Sequence, residues 1–135
     1  MEYKNSRHNI GFRLVFSLSE KYRIGLTNLR YLARWGEGLI LSQPVVLAKP
    51  RTFMNRSGKA VKALLQGVGQ TSDKLLILHD DVDLALGRIK VKYRGSDAGH
   101  LGVRSLLEEL GTDKFIRIRM GIGRPPKGQD TAEYV

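Results

Sequence analysis

Three residues of types that together can deprotonate water stand at separate points of the chain: His8, Asn55 and Asp80. A neutral imidazole oriented by a carboxylate is a common device for taking a proton from water near neutral pH. An amide side chain beside it can hold the water, or the oxyanion that forms when the water attacks. Each residue also has an ordinary reading. His8 fits a surface histidine, Asn9 and Asn55 fit helix caps, and Asp80 fits the closure of a turn or the partner of a cation. Spacing leaves both readings open.

A second group is cationic. Strand alternation along Arg88-Ile89-Lys90-Val91-Lys92-Tyr93-Arg94 puts four cations on one face and leaves Ile89, Val91 and Tyr93 for the core. Arg117 and Arg119 repeat the pattern opposite Ile116, Ile118 and Met120. Like charges in a row repel, so such ladders make sense beside a line of phosphates. The alternative is a solvated strand face with carboxylates nearby.

A third feature is the loop Gly95-Ser96-Asp97-Ala98-Gly99-His100-Leu101-Gly102, dense enough in glycine to approach a ligand closely. It has no lysine–serine/threonine pair of a P-loop and no G-x-G-x-x-G after a first strand. His79, Asp80, Asp81 and Asp83 are clustered, yet an EF-hand needs more oxygen ligands and a closing Glu, so no metal is expected. Gly121-Ile122-Gly123 reads as a turn.

These residues need elements to hold them. The spacing of Ile10, Leu14, Leu18 and Tyr22 predicts a helix over 10–22. Leu29–Trp35 and Leu39–Leu41 read as strands, with a hairpin turn at Gly36-Glu37-Gly38. Val45–Lys49 reads as a strand stopped by Pro50, and Val61, Leu64, Leu65 and Val68 form a helical stripe. Leu75–Leu78 is wholly apolar, which predicts a central strand buried on both faces and opening into an acidic turn at His79–Asp83. Arg88–Arg94 and Phe115–Met120 alternate as strands, and Val103, Leu106, Leu107 and Leu110 mark a helix between them. The expected architecture is an open three-layer α/β/α sandwich with a mixed, mostly parallel sheet. Ligands on such sheets sit at the strand ends.

Composition narrows the class. The chain has 135 residues, 41% hydrophobic and 27% charged, which fits one folded domain over 1–135. Lys and Arg number 23 against 13 acidic residues, a net charge of +10 that favours a polyanionic partner, nucleic acid first. Cysteine is absent, which removes disulfides, a thiol nucleophile and thiolate metal sites from consideration. No apolar run approaches the ~20 residues of a membrane span, and the N-terminus lacks the apolar core of a secretory signal. A cytoplasmic protein is expected.

Taken in order, the segments resemble the bacterial-type peptidyl-tRNA hydrolase family. The resemblance is carried by Tyr3 with Ser6-Arg7-His8-Asn9-x-Gly11, then Lys49-Pro50-x-Thr52-Phe53-Met54-Asn55-x-Ser57-Gly58. It continues through His79-Asp80-Asp81-x-Asp83-Leu84-x-x-Gly87, Gly99-His100-x-Gly102 and Arg117-x-Arg119-x-Gly121-Ile122-Gly123-Arg124-Pro125. The resemblance implies a hydrolase in translation and ribosome recycling that cleaves the ester between a peptide and the tRNA 3′ end. In it His8 matches the general base, Asp80 the carboxylate that keeps the base ready, and Asn55 the amide that positions water. Tyr3, Phe53, Met54, His100 and Leu101 match positions lining the substrate cleft. Lys92 and Arg119 match cations that meet acceptor-stem phosphate. The resemblance implies no cofactor and no metal, and a monomer acting on peptidyl-tRNA away from any membrane.

The match departs from the family in three places. The family has a strand and a Gly-Asn-Pro-Gly loop ahead of the position of Tyr3, and a helical region beyond the position of Val135. The chain is therefore expected to lack the first strand and the C-terminal helices, and a sheet without an inner strand exposes edges and apolar surface. Leu101 stands where the family has Asn, so one substrate hydrogen bond is missing. The competing expectations are a catalytically impaired RNA-binding homologue and, more distantly, a phosphate-binding α/β module unrelated to tRNA.

Overall fold

The computed structural model describes residues 10–52, 56–97 and 99–123. Helix α1 spans Ile10–Tyr22, followed by strands β1 (Asn28–Arg30), β2 (Ala33–Ile40) and β3 (Gln43–Pro50). Helix α2 (Ser57–Val68) leads to β4 (Leu76–Asp81) and β5 (Ile89–Tyr93), then α3 (Leu101–Leu110) and β6 (Ile116–Gly121). The strands form two three-stranded sheets, ordered β1-β2-β3 and β4-β6-β5. The mixed α/β character is as expected, and among the described residues antiparallel pairs outnumber parallel ones. β4 and β6 run parallel, while β1–β2, β2–β3 and β5–β6 are antiparallel pairs.

Helix α1 packs against β2, β3 and β4, while α2 packs on α3 and reaches β2 and β3. The interior under α1 is built from Val15, Ile24 and Leu47, with Leu18, Ile40, Val45 and Leu78 against them. Gly11 sets how closely the helix lies. A Cβ there would come within 2.5 Å of the Leu78 carbonyl oxygen, so glycine lets the first turn of α1 rest directly on β4.

The hairpin turn expected at Gly36-Glu37-Gly38 is absent, because β2 runs straight through these residues. A Cβ on Gly36 would meet the Gly25 carbonyl oxygen at 2.0 Å, and one on Gly38 would meet Ile24 at 2.5 Å. These glycines make room for the segment after α1 and do not bend the strand. The turns fall instead at Tyr31-Leu32 and Leu41-Ser42, pairs with φ of 60° and 57°, and of 49° and 68°. Positive φ at both central residues gives the backbone twist that two-residue hairpins favour, but Asn-Gly or Gly-Gly would be its usual sequence signature.

Two burial expectations also fail. β4 was expected at the centre of a sheet; among the described residues it is an edge strand, and Leu76 is 50% exposed. His79, Asp80 and Asp81 belong to the strand and not to a turn. Ile89, Val91 and Tyr93, expected on the core side, are 57–68% exposed because none of the described elements covers that face of β5. Between the edges of β3 and β4, which no described strand pairs, lies an apolar cavity of about 1220 Å³, lined by Leu14, Val15 and Leu18 and by Ala60, Val61 and Leu64.

Candidate active site

Asp80 lies near the C-terminal end of β4 and is 3% exposed, with His79 and Asp81 buried on either side. The loop that follows β5 brings His100 onto it, with His100 Nε2 2.9 Å from Asp80 Oδ1. The tautomer of His100 follows from its other nitrogen. His100 is the N-cap of α3, and its Nδ1 accepts the Val103 backbone N–H at 3.2 Å. An Nδ1 lone pair used as an acceptor leaves the proton on Nε2 in the neutral ring. His100 therefore donates to Asp80, and the carboxylate is held by a side chain that a helix start has fixed in place.

His79 sits next to this pair, its ring 4.9 Å from that of His100 at an interplanar angle of 63°. Its Nδ1 donates to the backbone carbonyl of Asp80 at 2.8 Å. Burial lowers the His79 pKa to about 4, the Asp80 carbonyl opposing this and His100 adding to it. The ring is thus neutral near pH 7. Because its folded pKa lies below the ordinary 6.5, the unfolded chain binds more protons in the window between the two values. The stability from burying neutral His79 is fully present above about pH 6.5 and is lost progressively as pH falls to about 4. Urea unfolding should show a loss on the order of 3 kcal/mol across that window, and His79→Gln should flatten the profile. Equal slopes for the two proteins would show that His79 is not the group responsible.

The cations are arranged differently from the expected ladders. Pairing of Lys90 with Arg119 and of Lys92 with Arg117 places the β5 and β6 cations on one face. Arg119 Nε donates to Asp81 Oδ2 at 2.6 Å. Burial alone would raise the Asp81 carboxyl, but Arg119 and the Asp83 N–H hold it below the usual carboxylate range. Arg117 is 3% exposed and donates to the backbone carbonyls of Arg94 and Ser96, so it fastens the loop leading to His100 and does not face solvent. Lys90 and Lys92 are exposed, with no carboxylate partner among the described residues.

Of the residues singled out from sequence, Asp80 and His100 come together. Leu101 opens α3 beside His100 and is 54% exposed, while Lys92 and Arg119 share the adjoining sheet face. His8, Tyr3, Phe53, Met54 and Asn55 lie outside the described residues. Two contributors were missed. From sequence His79 reads as part of an acidic turn and Arg117 as one rung of a cationic ladder. A long apolar run ending in His-Asp-Asp could have signalled buried polar groups. Among the described residues no group of three or more His, Asp or Glu is placed to hold a metal ion.

A family model described as peptidyl-tRNA hydrolase matches residues 1–135. A peptidyl-tRNA hydrolase from Shouchella clausii is 42% identical over 134 residues, covering 99% of this chain and 72% of the relative. One from Moorella thermoacetica is 43% identical over 133 residues, covering 98% and 70%. The crystal structure of peptidyl-tRNA hydrolase from Acinetobacter baumannii superposes with a TM-score of 0.92 at 36% identity, covering 99% of this chain and 68% of that one.

Proposed function

The chain belongs to the peptidyl-tRNA hydrolase family, and from that premise we propose that it cleaves peptidyl-tRNA by water attack with His8 as the general base. It is a hydrolase, and its substrate class is peptidyl-tRNA. His8 takes a proton from water, the resulting hydroxide attacks the ester carbonyl carbon, and the Asn55 amide holds the water and then the oxyanion. Collapse breaks the bond to the ribose oxygen, which takes the proton back from the imidazolium. The products are a peptide carboxylate and free tRNA. An ester asks less of its catalyst than an amide, so one oriented base and a few donors suffice.

The observation that carries this reading is the buried Asp80 carboxylate held by His100. Burial and a donated hydrogen bond keep the carboxylate dry and directed, a state that suits the orienting role proposed for it toward His8. Lys92 and Arg119 are proposed to meet acceptor-stem phosphate, with Tyr3, Phe53 and Met54 lining the cleft. Leu101 offers no side-chain hydrogen bond to substrate. The protein is proposed to work as a monomer in the cytoplasm. No described helix is long and apolar enough to cross a membrane.

The test is release of N-acyl-amino acid from N-acyl-aminoacyl-tRNA, measured beside the same tRNA carrying an unblocked amino acid. The blocked ester should be hydrolysed at least ~10-fold faster, because recognition groups fitted to an amide discriminate against a free ammonium. Salt-sensitive tRNA binding without release of either product would instead favour an RNA-binding homologue.

A further inference from the structure

The second cationic surface lies on the other sheet. Arg34 of β2 and Lys49 of β3 are directly opposed across the antiparallel ladder. Like charges placed opposite each other destabilise a strand pair, and neither cation has a carboxylate partner among the described residues. Burial lowers the Lys49 pKa, and Arg34 lowers it further. On the other side of Lys49 stand two aromatic rings of α1. Its Nζ lies 5.2 Å from the centroid of Phe12 and 5.1 Å from that of Phe16. Phe16 is 39% exposed. The rings hold the ammonium in place while Arg34 remains exposed beside it.

We propose that Arg34, Lys49 and the half-exposed Phe16 ring bind the unpaired 3′ strand of the tRNA, the two cations taking a phosphate and the ring packing on a base. Paired cations beside a half-exposed aromatic ring are the elements from which single-strand binding surfaces are made, whereas a duplex keeps its base faces covered. The location suits that partner. The first turn of α1 rests on Leu78, two residues before Asp80 on β4, and Lys49 lies near the end of β3. Lys90 and Lys92 lie on a different sheet, so the two cationic surfaces divide the RNA between them. The inference rests on reading the chain as a protein that acts on tRNA.

Binding of deacylated tRNA, followed by fluorescence anisotropy between ~50 and ~200 mM salt, tests it. Arg34→Ala and Lys49→Met should each make the slope of log K against log salt shallower, and the double variant should lose about 0.7, the value for one single-strand phosphate. Arg34→Lys should keep most of the slope, since the charge remains. On tRNA trimmed of its unpaired 3′ nucleotides the wild type and Arg34→Ala should bind alike. Unchanged slopes for Arg34→Ala on intact tRNA, or an equal loss on trimmed tRNA, would overturn the proposal alone. A wild type that fails to bind intact tRNA would overturn it together with the hydrolase reading. Arg34 is exposed, so a thermal melt of Arg34→Ala should match the wild type and separate lost contact from lost fold.

Discussion

Replacing His8 with alanine is expected to reduce kcat on N-acyl-aminoacyl-tRNA by about 10²–10⁴-fold, the usual contribution of a positioned general base. Affinity for deacylated tRNA should stay within about 3-fold of wild type, because the proposed phosphate contacts lie on the sheet faces and not at the base. The measurement is a single-turnover rate beside a binding isotherm. A His8→Ala protein that retains its rate would remove the mechanism while leaving family membership intact. Loss of binding and rate together would point to a structural role for the residue.

Asp80→Asn should be the second large effect, lowering kcat on the order of 10²–10⁴-fold. The change is close to isosteric and separates charge from hydrogen bonding. An amide oxygen can still accept the Nε2 proton of His100, whose tautomer is set by the Val103 N–H at the start of α3. Lost rate with an unchanged melting temperature would therefore report the negative charge. If the rate survives, Asp80 serves the fold and not the chemistry. The contrast with Arg117 sharpens this test, since that cation fastens backbone carbonyls and its removal should appear as instability first.

Much of the architecture was legible from sequence because it follows from periodicity. The stripe starting at Ile10 predicts a helix over the span that α1 occupies, and the alternating run Phe115–Met120 is β6 moved by one residue at both ends. What was not legible depends on neighbours distant in sequence. Gly36 and Gly38 look like a turn until Ile24 and Gly25 are placed against them, and the real turns at Tyr31-Leu32 and Leu41-Ser42 carry no glycine. Alternation divides the residues of β5 between two faces but could not say that the described elements leave both faces uncovered. For the site, Asp80 and His100 were each visible as polar residues at segment ends, yet their bond joins residues twenty positions apart. Likewise, nothing local distinguishes the buried Arg117 from Arg119 two residues later.

The single imidazole of His100 ties two events together. Its Nδ1 closes the first turn of α3 while its Nε2 holds the Asp80 carboxylate, so fraying of that turn and release of the carboxylate are one local opening, not two independent ones. Helix ends open at low free-energy cost compared with global unfolding. The fraction of molecules with a correctly held carboxylate is thus set in part by the stability of the first turn of α3. Hydrogen exchange at the Val103 amide would report the same opening equilibrium that governs the carboxylate.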